Sequence, residues 1–162
     1  MYRYQILVEY VGTKFVGWQK QLKGKSIQKE IENKLSKLLK QKIIIYGSGR
    51  TDAGVHAIEQ SAHFDIKLKI KEIKKLIKSL NFFLNPKKIS IINIYKRKKK
   101  FHARYSAKER VYKYFIINRL AAPTLENERA WHIRKKLNIK LLKEGAKKLT
   151  GSHDFSTMRA KN

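Results

Sequence analysis

The stretch IIIYGSGRTDAGVHA, from Ile43 to Ala57, decides the fold around it, because an apolar run passes directly into a glycine-rich segment. Ile43 to Tyr46 has the β-branched and aromatic content of a buried strand. Gly47, Gly49 and Gly54 then allow positive φ and the close approach of another molecule. The pattern predicts a strand that ends in a loop at the protein surface.

Arg50 and Asp52 are the charged residues of this loop. In an extended segment, their spacing places both side chains on one face, so that a guanidinium would lie beside a carboxylate. Two interpretations stay open at this point. Asp52 could form an Asx turn that Arg50 stabilises, which is the ordinary role of Asp in such loops. Alternatively, the carboxylate is held at the surface for chemistry.

The segments on both sides of the loop predict an α+β fold. Period-two alternation indicates strands over Tyr2–Val11, Ile58–Ile66 and Ile89–Tyr95. Apolar residues at helical spacing predict helices over Ile27–Leu39, behind the N-cap Ser26, and over Ile73–Leu80. The order strand, helix, strand, strand, helix, strand is typical of a ferredoxin-like (RRM-like) sheet, mostly antiparallel with both helices on one face.

Two more elements would extend this sheet. Val111–Asn118 alternates like a strand, with Tyr112 on one face, and apolar residues over Ile139–Leu149 recur at helical spacing. Neither an internal repeat nor a linker is evident, so we expect one domain over residues 1–162.

Composition favours a polyanionic partner, with nucleic acid as the first candidate. The 162 residues include 39 Lys and Arg against 12 Asp and Glu, for a formal charge of +27. The lysine excess could also reflect a coding bias. Lys96–Lys100 is the densest run, and it could be a solvated loop, a phosphate contact or both. Because no segment has the character of a signal peptide or a membrane span, we expect a soluble cytoplasmic protein.

The sequence lacks the residues that several other kinds of functional site require. The chain has no cysteine, and its five histidines include no pair at i, i+4, which argues against a zinc site. The glycine-rich loop lacks the Lys-Ser/Thr pair of a Walker motif, and no Gly-x-Ser-x-Gly elbow occurs. What remains is a carboxylate that works without a metal or a cofactor.

Five segments resemble the tRNA pseudouridine synthase A (TruA) family. GRTDAGVHA (Gly49–Ala57) is similar to the motif of the family's catalytic Asp. The other four follow in the family's order: EYVGTKFVGWQKQ (Glu9–Gln21), FHARYSA (Phe101–Ala107), RVYKYFIIN (Arg110–Asn118) and GSHDFSTMRA (Gly151–Ala160). The resemblance covers essentially all of this chain. It implies a domain equivalent to the N-terminal half of a pseudouridine synthase, with the second half missing.

The resemblance implies that uridine is isomerised to pseudouridine in the tRNA anticodon stem-loop, without a cofactor or a metal. Asp52 would be the catalytic carboxylate, Arg50 would pair with it and hold the flipped nucleotide, and Tyr112 would stack on the uracil. The further candidates for substrate or RNA contact are His56, Gln60, Arg104, Arg110, Lys96, Arg97, Lys98, Lys99 and Lys100.

Alternatives remain for the whole chain and for two aromatic residues. Family members place active-site residues in both halves and form homodimers, so this chain could instead be a non-catalytic basic RNA-binding module. A basic ribosome-associated structural protein is a third interpretation. Trp18 could serve packing or RNA contact, and Tyr112 without the resemblance would be a core aromatic of a strand.

Overall fold

The computed structural model describes residues 1–158. The last two residues of the family-like segment Gly151–Ala160 lie outside the described residues. The chain forms two compact units, Met1–Tyr112 and Lys113–Asn162, where we had expected one domain without a linker. The single-domain organisation stays a prediction, and each unit is described by itself.

The first unit is built on a four-stranded antiparallel sheet. In chain order the elements are β1 (Tyr2–Tyr10), α1 (Ile27–Leu39), β2 (Ile45–Gly47), β3 (Ala57–Ile66), α2 (Ile73–Leu84) and β4 (Ile89–Arg97), with single 3-10 turns at Gly12–Lys14 and Asn85–Lys87. The spatial order of the strands is β2-β3-β1-β4, and every neighbouring pair is antiparallel. A mixed α/β fold with an antiparallel sheet is therefore confirmed.

The core lies between one face of the sheet and the two helices. It buries alternate residues of β1, from Tyr4 to Tyr10, together with one stripe of each helix. The side chain of Ser26 accepts a hydrogen bond from the Lys29 N–H at 3.3 Å, which confirms it as the N-cap of α1. The periodicities of two and 3.6 residues thus predicted the buried faces correctly.

Two strands differ from their predicted form. The strand before the loop begins only at Ile45. Only one of its faces is buried, since Ile45 is buried while Ile44 and Tyr46 are about half exposed. The reason is its position at the edge of the sheet, where it pairs with β3 alone. At the other edge, β4 continues to Arg97, beyond the predicted end at Tyr95.

The face of the sheet opposite the helices carries a polar network. Arg3 forms a bidentate ion pair with Asp65, at 2.8 and 2.7 Å. Its Nη1 donates to the carbonyl oxygens of Lys99 at 2.8 Å and Phe101 at 2.7 Å. The hydrogen bonds from Arg3 lower the pKa of the Asp65 carboxyl. This network fixes the start of the segment Phe101–Ser106 against the open face.

The second unit contains a short parallel pair and a helix. Strands β5 (Ile116–Asn118) and β6 (Trp131–Ile133) pair in parallel, and α3 (Ile139–Leu149) confirms the predicted C-terminal helix. The strand predicted over Val111–Asn118 is wrong before Ile116, because residues 111–115 have no ladder partner within residues 1–158. No helix in the described part of the chain has the length and apolar character to span a membrane.

Candidate active site

The glycine-rich loop after β2 is anchored to the segment that follows β1. The Thr51 carbonyl oxygen accepts a hydrogen bond from the Trp18 N–H at 3.0 Å, and the Thr51 hydroxyl bonds to the Tyr10 hydroxyl at 2.8 Å. The Gly54 N–H donates to the Phe15 carbonyl at 3.4 Å. Burial raises the pKa of the Tyr10 hydroxyl. The backbone next to Asp52 is therefore held from the core side.

Close packing, rather than unusual backbone angles, explains the first glycine of the loop. A Cβ at Gly47 would lie 2.6 Å from Nε1 of Trp18, which is only 3% exposed. Trp18 thus serves packing. Of the three loop glycines, only Gly54 has a positive φ, at 80°. Gly47 and Gly49 do not use the positive φ that glycine allows, although the chain also bends at Ser48 and Gly49.

Asp52 and Arg50 are both exposed, and they do not form the expected contact. Neither residue takes part in an ion pair in the described part of the chain, because both side chains extend into solvent. The Asx-turn alternative also finds no support in the described part of the chain. The turn is closed by the backbone instead, with the Val55 N–H donating to the Asp52 carbonyl oxygen at 3.2 Å. The Asp52 carboxylate is left accessible to a ligand.

Two of the further candidates support the backbone of this loop, and a third bonds to the segment after β1. Gln60 Nε2 donates to the Gly49 carbonyl at 2.7 Å, and Arg110 Nη2 donates to the Ser48 carbonyl at 2.9 Å. His56 Nδ1 accepts a hydrogen bond from the Gly12 N–H at 3.0 Å. These contacts give the residues positioning roles, while their contact with substrate or RNA stays a prediction.

Arg104 and Tyr112 flank Arg110 in the chain. The Arg104 carbonyl accepts from Arg110 Nη2 at 3.4 Å, so the same guanidinium joins Arg104 to the loop. Tyr112 lies two residues after Arg110 and is 68% exposed, which excludes the core-aromatic interpretation. Its predicted stacking on uracil stays a prediction.

The basic run ends β4 and forms the following turn. All five side chains from Lys96 to Lys100 are exposed. An open groove of about 500 Å³ is lined by Lys96, Arg97, Lys98, Lys100, Phe101 and Ser106. Solvation of the run is confirmed, and its phosphate contact stays a prediction.

A series of ring contacts that the sequence did not predict lies beside the loop, formed by Tyr46, His63, His102 and Tyr105. The alternation of β3 puts His63 on the open face of the sheet, and this alternation was the only sequence feature that could have indicated the ring contacts. His63 is 2% exposed, and its burial, reinforced by the positive charge of Arg3, lowers its pKa to about 4. No cluster of three or more His, Cys, Asp or Glu that could hold a metal ion occurs in residues 1–158.

The first unit is thus a basic α/β domain that presents a surface carboxylate on an anchored loop. Residues 6–106, which include this loop, match the family model described as tRNA pseudouridine synthase. The chain belongs to the tRNA pseudouridine synthase family.

Curated relatives extend the similarity over nearly the whole chain. The chain is 66% identical over 160 residues to tRNA pseudouridine synthase A of Pelagibacter ubique (strain HTCC1062), with 99% of the chain covered. It is 44% identical over 162 residues to tRNA pseudouridine synthase A of Anaplasma phagocytophilum (strain HZ), again with 99% of the chain covered. In both comparisons the chain spans 65% of the relative's length.

Proposed function

We propose that the protein isomerises uridine to pseudouridine in tRNA, with Asp52 as the catalytic carboxylate. The observation that carries the proposal is the family's loop, whose backbone is hydrogen-bonded to the core side while the Asp52 side chain stays exposed. The curated relatives, named tRNA pseudouridine synthase A, support the same activity.

The reaction needs what this loop presents. The bond between uracil N1 and ribose C1′ breaks, the base turns, and C5 bonds to C1′. C5 loses a proton and N1 takes one up, so that the product is an isomer of the substrate. No electrons are exchanged with another molecule. A carboxylate near the sugar can act as a nucleophile, or as a base that also stabilises a cationic intermediate. An exposed carboxylate can reach a nucleotide that has left its stack, a step that costs a few kcal/mol.

Arg50 and Tyr112 complete the proposed site. Arg50 does not bond to Asp52, so its exposed guanidinium is available to hold the flipped nucleotide through a phosphate or a base edge. Tyr112 would stack on the uracil, as the resemblance implies. The lysines from Lys96 to Lys100 would contact the phosphate backbone.

We also propose a particular fold, substrate region and assembly. The sheet order β2-β3-β1-β4 supports a ferredoxin-like topology, equivalent to the N-terminal half of a family member. The substrate region would be the anticodon stem-loop, recognised by its shape and backbone charge. The whole protein would be a cytoplasmic homodimer, in which the rest of the active site comes from sequence beyond the 65% that this chain matches.

Release of tritium from C5-labelled uridine in an anticodon stem-loop tests the function directly. The assay uses the chain and a version extended by whatever coding sequence follows it. We expect Asp52→Asn to lower release by about 10²-fold or more, because the reaction loses its carboxylate. RNA affinity should hardly change. The matched control is Glu59→Gln, which neutralises another exposed carboxylate.

Two outcomes would contradict the proposal. Undiminished release by Asp52→Asn would remove Asp52 from the chemistry. Binding of the RNA without release by either version would make the protein a basic RNA-binding module instead.

A further inference from the structure

The segment Phe101–Ser106 buries its smallest side chain and exposes its largest aromatic one. Ala103 is 2% exposed, whereas Tyr105 is 77% exposed. Removing an aromatic ring from water is favourable, so burial alone would favour the opposite arrangement. An exposed ring on a well-ordered segment is a feature that binding sites use.

Hydrogen bonds hold this segment firmly on the open face of the sheet. The Ala103 N–H donates to Nδ1 of the buried His63 at 3.2 Å. His102 and Ser106 bond to each other twice, through the His102 N–H and the Ser106 hydroxyl at 3.0 Å and through the Ser106 N–H and the His102 carbonyl at 2.7 Å. A ligand that binds Tyr105 therefore meets a surface that is already ordered, which lowers the entropic cost of binding.

A continuous series of ring contacts supports Tyr105. Its ring centroid lies 4.4 Å from that of His102, and His102 lies 4.6 Å from His63. His63 in turn stacks on Tyr46 at 5.2 Å, with an interplanar angle of 25°. Tilted and edge-on contacts thus connect the exposed Tyr105 to a buried histidine on the sheet.

A guanidinium lies beside the exposed ring, and hydrogen bonds join the backbone of its segment to the glycine-rich loop. The Arg104 guanidinium lies 5.8 Å from the Tyr105 ring centroid. Arg110 Nη2 bonds both to the Arg104 carbonyl, at 3.4 Å, and to the Ser48 carbonyl of the glycine-rich loop, at 2.9 Å. The basic turn Lys98–Lys100 precedes the same segment. The ring therefore lies on a positively charged surface that attracts phosphates. Hydrogen bonds from Arg110 connect its segment to the loop that carries Asp52.

We propose that Tyr105 is a stacking site for an unpaired nucleobase of the RNA substrate, separate from the uridine that reacts. The proposal rests on the proposed function, which supplies an RNA ligand. Aromatic side chains beside lysines and arginines are the usual means of holding unpaired bases, because every base has a face that can stack. A protein partner fits less well, since lysine is depleted at protein interfaces.

Binding of two RNAs by the chain tests this site. One RNA is a hairpin with an unpaired loop, and the other is a blunt duplex of the same stem. We expect Tyr105→Ala to weaken hairpin binding by about 5- to 150-fold, the usual effect of losing one stacked base, and to leave duplex binding within about twofold. Tyr105→Phe should keep near-normal affinity, because its ring is retained.

The matched control is Phe82→Ala, which removes an equally exposed ring, 76% exposed, from α2. It should change neither affinity. A Tyr105→Ala variant that binds the hairpin normally, or that loses both RNAs equally, would overturn the stacking site, and so would failure of the chain to bind the hairpin. A different result would contradict the proposed function: RNA that binds but releases no tritium.

Discussion

At the scale of single residues, the candidate site divides two roles, attachment to the core and exposure to a ligand, between neighbouring residues. Thr51 bonds to Tyr10 and Trp18, and its neighbour Asp52 remains exposed. Because Thr51 supplies the attachment, the carboxylate does not have to bond to the protein and can face a substrate. His63 shows the same division on the open face of the sheet, where a buried imidazole supports the exposed Tyr105 through His102.

His63 should make the protein less stable in mild acid. Its pKa falls from 6.5 to about 4 on folding, mainly because of burial and the nearby charges of Arg3 and His102. Between these values the unfolded chain binds a proton that the folded chain does not, so the stabilisation present above pH 6.5 is lost as the pH falls toward about 4. At 1.36 kcal/mol for each pKa unit, the free energy of unfolding should drop by up to about 3 kcal/mol.

Urea unfolding across this pH range measures the effect. His63→Gln keeps an acceptor for the Ala103 N–H but cannot titrate, so its pH dependence should be flatter. Asp65 contributes in a lower window, because its pKa is depressed below 3.8 by Arg3 and its stabilisation is lost only below that value. Equal slopes for the wild type and His63→Gln would contradict the prediction.

At the scale of elements, a helix side chain compensates for an irregular strand pair. The register between β1 and β4 shifts between Leu7 and Val8. Such a bulge disrupts the ladder locally. Asn81 of α2 meets the affected strand, since its Nδ2 donates to the Ile91 carbonyl at 3.0 Å and its Oδ1 accepts from the Ile91 N–H at 2.7 Å. α2 thus pairs with the backbone of β4 as well as packing on it.

Asn81→Ala should lower the free energy of unfolding by about 2 kcal/mol, because both backbone groups of the buried Ile91 lose their partner. Asn81→Asp is the matched variant: it keeps an acceptor for the Ile91 N–H, but an ionised oxygen replaces the donor and faces the Ile91 carbonyl, so its loss should be at least as large. Urea denaturation at neutral pH measures both. A much smaller loss for Asn81→Asp than for Asn81→Ala would contradict the prediction, because the Ile91 carbonyl would then not need the Asn81 donor.

At the scale of the whole molecule, the large positive charge is the main influence on the expected RNA binding. A formal charge of +27 on 162 residues makes steep salt dependence of RNA binding the expected behaviour. The lysines are not equivalent, however. Those at positions 98 to 100 lie beside the open face of the sheet, whereas Lys71, Lys74 and Lys78 are exposed at and just before α2. Only the first group adjoins the proposed RNA surface.

Changing Lys98, Lys99 and Lys100 together to Gln should therefore reduce the slope of log K against log salt by about 0.7–0.9 for each phosphate contact that is lost. The same change at Lys71, Lys74 and Lys78 removes an equal charge and should leave the slope almost unaltered. Fluorescence titrations of a labelled anticodon stem-loop over a range of salt concentrations measure both. Equal reductions in the two variants would mean that net charge alone, and not the turn after β4, binds the RNA.

Local patterns were sufficient for most elements of the first unit and for the loop that carries Asp52, while β2 and β4 differ from their predicted bounds. Period two, helical spacing and the N-cap Ser26 each depend on neighbours in the chain, so α1, α2, β1 and β3 could be predicted. The strand predicted over Val111–Asn118 failed because a strand also needs a partner, and alternation does not reveal whether one is present.

The sequence by itself determined the family, the chain order of the elements and the identity of the carboxylate loop, because these depend on residue types at fixed spacings. Only the tertiary structure decided that Arg50 does not bond to Asp52, that Trp18 is buried, and that Tyr105 is exposed beside His102. The burial of Trp18 and the attachment of the Tyr105 segment to His63 depend on contacts between residues far apart in the chain. Such contacts are set by packing and by competition among hydrogen-bond partners, which spacing does not encode.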